Sequence, residues 1–111
     1  MNSYQEQIDA KLKLAEDLIG TPLTDKERRE FQSHTVGAIV GIKMIRAMSA
    51  DDLKAALKDK TKHEELRQKV GAGTNPSWVT GQVAEALYMS GEIDEKKFDA
   101  INEYDGLEIP L

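Results

Sequence analysis

The run from Val36 to Met48 constrains the fold more than any other part of the chain. Wound as a helix, it puts Ala38, Ile42 and Ile45 in one stripe with Phe31, and Thr35 fills the gap in that stripe. Val36, Ile39, Val40 and Met44 make a second stripe. Apolar side chains on two sides require cover over most of the circumference. Thr24-x-x-Glu27 just upstream has the form of a capping box, in which each side chain satisfies a free backbone N–H. The pattern therefore predicts one long helix from about Thr24 to Met48. Its start, Asp25 to Glu30, is fully polar and should project into water.

Gly37 and Gly41 lie inside this predicted helix. Each costs about 1 kcal/mol against Ala in helix propensity. Four residues apart, they share a face and strip it of side-chain bulk, so another helix can approach closely. That helix belongs either to the same chain or to a second copy in a homodimer, and glycine spacing does not distinguish the two.

The flanking segments read as shorter helices. Ser3-x-x-Glu6 is a capping box, and Ile8, Leu12, Ala15, Leu18 and Ile19 follow at helical spacing until Gly20 and Pro22. Ser49-x-x-Asp52 opens a helix carrying Leu53, Ala56 and Leu57. Thr61-x-x-Glu64 suggests a further one from Lys62 to Val70, the alternative being a single bent helix over 50–70. After Gly71 and Gly73, Asn75 and Pro76 start a helix that reaches Ser90 and stops at Gly91. Asp94 caps the last, with Phe98, Ile101 and Tyr104.

With few aromatic residues, the core must come from Leu, Ile, Val, Ala and Met, which suits helices. The expected fold is an all-α, compact bundle of five to six short helices around a central buried helix at about 25–48. It forms a single helical domain at 1–104, followed by an apolar tail at 105–111. In that tail Leu107, Ile109 and Leu111 alternate, as in an extended segment lying on an apolar surface of its own domain or of a partner.

Function classes are narrowed by what is missing. Without cysteine there are no disulfides and no thiolate zinc sites. No apolar run approaches the roughly 18 residues of a membrane span. The polar first residues do not form a leader, so a cytoplasmic protein is expected. A net charge of −5 disfavours loose binding to a phosphate backbone. Ser33 and His34 are sequence neighbours, and helical neighbours point about 100° apart, too far to pair as nucleophile and base. Glu30/His34 and Asp59/His63 have the four-residue spacing that puts a carboxylate and an imidazole on one helix face. Two ligands are too few for a metal, and surface ion pairs or hydration are expected instead. Gly71-Ala72-Gly73-Thr74 lacks the lysine and the preceding strand of a phosphate loop. No catalytic, metal or cofactor residues are assigned, and no cofactor is expected. Lys54, Lys58, Lys60, Lys62, Arg67 and Lys69 form a basic stretch, but Asp59, Glu64 and Glu65 interleave as on a solvated face.

The stretch from Gln82 to Phe98, with Val83, Ala84 and Leu87 before a turn, resembles the first helix and turn of a helix-turn-helix. The resemblance implies a DNA-binding regulator. It departs where the turn glycine would be Tyr88, with Gly91 three residues late, and where the second helix opens Glu92-Ile93-Asp94-Glu95. Acidic residues there are good caps and poor readers of a phosphate-lined groove. The first expectation is thus a non-enzymatic protein–protein interaction module: a small adaptor, inhibitor or assembly factor. It binds another protein or itself as a homodimer, and short acidic helical chains of this kind are common among phage and mobile-element accessory proteins. Its candidate interaction residues are Gly37, Gly41, Trp78, Tyr88, Leu107, Ile109 and Leu111. Trp78 follows the glycine-rich turn, where a Trp serves as a core lid or an interface anchor.

Overall fold

A computed structural model describes residues 3–71 and 75–103. These residues form α1 (Ser3–Ile19), α2 (Asp25–Glu30), a 3-10 turn (Phe31–Ser33), α3 (Val36–Arg46), α4 (Ala50–Lys58), α5 (Lys60–Val70), α6 (Pro76–Met89) and α7 (Glu95–Glu103). The described residues are all-α, as expected from the sequence.

The long helix from Thr24 to Met48 is instead divided. Its capping box forms: the Thr24 hydroxyl accepts from the Glu27 N–H at 3.1 Å, and the Glu27 carboxylate accepts from the Thr24 N–H at 3.0 Å. The helix then tightens into the 3-10 turn and opens at His34, whose backbone is extended. Thr35 restarts it. Its hydroxyl accepts from the Ala38 N–H at 3.2 Å, and its carbonyl accepts from Ile39 at 3.0 Å. A threonine hydroxyl competes for backbone N–H groups, so it favours a cap over a helix interior. Thr35 is thus the start of a second helix rather than a gap filler.

Residues 50–70 form two helices, α4 and α5, with the break at Asp59. The Asp59 carboxylate accepts from the Thr61 and Lys62 N–H groups at 2.8 and 3.3 Å, so Asp59, not Thr61, is the cap. Ser49, Asn75 and Asp94 cap α4, α6 and α7 as their positions suggest. Gly91 has φ 81° and closes α6 in a Schellman turn: Gly91 N–H reaches the Tyr88 carbonyl at 3.0 Å and Glu92 N–H reaches Leu87 at 2.9 Å.

Packing separates two compact units, Met1–Lys43 and Met44–Leu111. In the first, Ile8, Leu12 and Ala15 of α1 are buried, as are Leu23, Phe31, Ile39 and Ile42. Polar contacts tie these pieces together. Glu16 accepts from the Leu23 N–H at 2.9 Å and from Arg28 Nη2 at 2.5 Å. Lys43 Nζ reaches Glu27 at 2.6 Å, and Lys11 donates to the Gln32 carbonyl. In the second unit, one apolar cluster runs through α4, α5, α6 and α7, built on Leu53, Leu57, Leu66, Val79, Val83, Leu87 and Ile101.

Candidate interaction surface

Helix α1 is amphipathic in two senses. Its buried face carries Ile8, Leu12 and Ala15. At about 100° per residue, Tyr4, Leu14 and Leu18 fall within about 80° of one another on a different face. All three are exposed, Leu14 at 51 % and Leu18 at 62 %. Leu18, expected to face inward, lies about 100° around the helix from the middle of the buried stripe. The helix ends one residue later, at Ile19, and Gly20 turns the chain away at φ 91°. Leu14 and Leu18, one turn apart, are the signal in the sequence for this second face, which the inward stripe obscured.

A second exposed apolar spot sits where α6 meets α7. Tyr88 is 39 % exposed and packs against Phe98 with ring centroids 5.0 Å apart and planes tilted by 59°. Met89 beside it is 51 % exposed. Tyr88 is therefore both the packing partner of Phe98 and a surface residue.

The remaining candidates fall as follows. Gly37 is exposed in the first turn of α3, and a Cβ built there meets nothing within 4 Å. Gly41 is buried. Gly81 of α6 faces a neighbouring helix: a Cβ there would sit 3.9 Å from Asn102 Oδ1 of α7. Trp78 is half-buried and packs on the apolar cluster of its unit, as a lid would. Leu107, Ile109 and Leu111 lie outside the described residues.

Among the described residues the imidazoles and acids do not gather into a group that could hold a metal. His34 falls beyond the helix that carries Glu30, in extended backbone, and sits edge-on to Phe31 at 5.5 Å. The four-residue spacing of Glu30 and His34 therefore spans no continuous helix face. Asp59 caps α5, while His63 is buried and its Nε2 lies 2.9 Å from Thr80 Oγ1 of α6. Burial lowers the His63 pKa from 6.5; Glu64 raises it and Arg67 lowers it further. The basic stretch is partly salt-bridged. Arg67 grips Glu64 with Nε at 2.8 Å and Nη2 at 2.6 Å, and Lys54 meets Glu92 at 3.3 Å. The Arg67 and Gln68 hydrogen bonds hold the Glu64 carboxyl down at about 2.

Between α4 and α5 lies a cleft of about 200 Å³, floored by Met48, Ala55, Ala56 and Leu66, with Lys62 and Lys69 at its rim. Pockets that enclose a small molecule run from about 300 Å³ upward, so this cleft admits a side chain more readily than a metabolite. Among the described residues no helix is long and apolar enough to cross a membrane. Comparison with known proteins finds no match: no family model fits the sequence, and no curated protein or solved structure is significantly similar to it.

Proposed function

We propose that the chain is a non-enzymatic helical protein–protein interaction module, an adaptor, inhibitor or assembly factor working in the cytoplasm. The outward face of α1 carries this reading. Single exposed leucines are ordinary, but Tyr4, Leu14 and Leu18 on one arc of a 17-residue helix form a stripe that water covers poorly. An apolar stripe on an exposed helix fits the matching face of a partner helix. The occupant we favour is such a helix on another protein; a second copy of this chain is the other outcome.

The test pairs Leu14→Glu with Leu18→Glu and compares that variant with the unaltered protein. Circular dichroism should be unchanged, while cross-linked partners recovered with the unaltered chain, or a dimer mass in light scattering, should be lost. Identical partners and identical mass for both proteins would overturn the assignment of this face.

A DNA-reading role finds less support. The helix in the recognition position, α7, follows Glu92 and Asp94 and exposes Glu95, Asp99 and Glu103 around Lys96 and Lys97. Such a surface repels phosphates. Duplex binding that weakens steeply with salt would favour the helix-turn-helix reading over ours.

A further inference from the structure

His63 is the buried imidazole of the second unit, 3 % exposed, and the polar partner it meets across the α5/α6 seam is the Thr80 hydroxyl. A neutral imidazole suits that place, because a hydroxyl can donate to it or accept from it. An imidazolium does not. A charge withdrawn from water needs a carboxylate close by. The acid nearest in sequence is Glu64, and its two oxygens are already taken by Arg67 at 2.6 and 2.8 Å and by Gln68 at 3.0 Å.

The helices packed on α5 offer no substitute. On α6 the acid is Glu85, which lies 3.6 Å from Arg46. On α4, Lys54 is held by Glu92, Asp52 lines the outer cleft beside Lys62, Glu65 and Lys69, and Asp51 and Lys58 are exposed. Asp59, one turn before His63 on the same helix, accepts from the Thr61 and Lys62 N–H groups. The charges acting on the imidazole are Glu64, which favours protonation, and Arg67, which opposes it.

We propose that the His63–Thr80 contact is an acid-sensitive latch, closed while the imidazole is neutral and opening the α5/α6 seam when it is protonated. Mildly acidic conditions then loosen α5 from the second unit while Glu27 of the first, held below 4.5, stays ionised. The sign follows from linkage. The folded protein resists the proton that the unfolded chain accepts near 6.5, so stability is full above that value and falls as pH drops below it. For one proton the unfolding equilibrium constant rises by at most about tenfold per pH unit, and the loss levels off below the folded value.

The experiment follows urea unfolding and amide exchange from pH 7.5 to pH 5 in a His34→Gln background, where His63 is the remaining histidine. The latch predicts a falling urea midpoint and exchange that rises first over Lys60–Val70, once corrected for intrinsic rates. His63→Gln should flatten the midpoint profile. If that variant does not fold, the ring-proton NMR titration of His63 in the unaltered protein decides. A midpoint at or above 6.5, a flat stability profile, or a slope that survives His63→Gln would each overturn the proposal.

Discussion

The two units are held by different chemistry. In Met1–Lys43, buried or half-buried carboxylates stitch the pieces together: Glu16 to Leu23 and Arg28, and Glu27 to Thr24 and Lys43. In Met44–Leu111 one continuous apolar cluster links four helices, and the ion pairs Lys54–Glu92 and Arg67–Glu64 are surface features. A hydrogen-bonded charge holds only while its partner is present and ionised. A close-packed apolar cluster is indifferent to pH, apart from a buried titratable group such as His63, but sensitive to volume. The first unit should therefore respond to charge changes and the second to missing methyl groups.

The largest effect is expected at Leu87, fully buried in the cluster of the second unit. Leu87→Ala should cost about 2 to 5 kcal/mol, the lost transfer energy plus the cavity left behind. Urea unfolding measures it, and a loss below about 1 kcal/mol would mean that the cluster collapses around the gap rather than packing rigidly.

Glu16→Ala is the corresponding blow to the first unit. It leaves the buried Leu23 N–H without its acceptor and Arg28 without its carboxylate. One orphaned buried donor costs about 1 to 3 kcal/mol. Glu16→Gln keeps an acceptor and should recover part of that loss. Equal damage from both changes would assign the effect to charge alone.

Acid should separate the units by window. Burial raises the Glu27 pKa, but the Lys43 and Thr24 hydrogen bonds more than offset it, so the folded value lies below 4.5. The stability this contributes is complete above 4.5 and is lost as pH falls through the folded value. Glu27→Gln should flatten that acid limb in a denaturation series. A limb of unchanged slope would remove Glu27 from the list of groups that set it.

Several of these contacts could be read from the chain alone, and others could not. The caps at Thr24, Ser49, Asn75 and Asp94 were legible because a cap is local: side chain and N–H lie within three residues. The apolar faces of α4 and α6 were legible for the same reason. The break before Thr35 was not, since apolar spacing runs through it unaltered. Only the competition between a hydroxyl cap and a helix interior decides it. Glu16, His63 and Thr80 have partners 7 to 17 residues away, and no short pattern announces them. Leu18 was misplaced because a helix end lets a residue at the margin of the apolar stripe turn to solvent.

The smallest effects compare a glycine from each unit. Gly81 lies mid-helix in α6, and a Cβ there would meet Asn102 Oδ1 at 3.9 Å, an ordinary contact. Gly81→Ala should then gain most of the propensity difference, about 1 kcal/mol, and also fill the approach of α7. Gly37 has open space around it but sits in the first turn of α3, where fewer backbone hydrogen bonds depend on it. Its gain should be about 0.5 kcal/mol or less. Thermal melting ranks the two. If Gly37→Ala destabilises instead, something packs on that turn in solution, and the exposed face of α3 joins α1 as a contact surface. If Gly81→Ala destabilises, the α6/α7 approach is tighter than 3.9 Å and the second unit depends on that glycine for its packing.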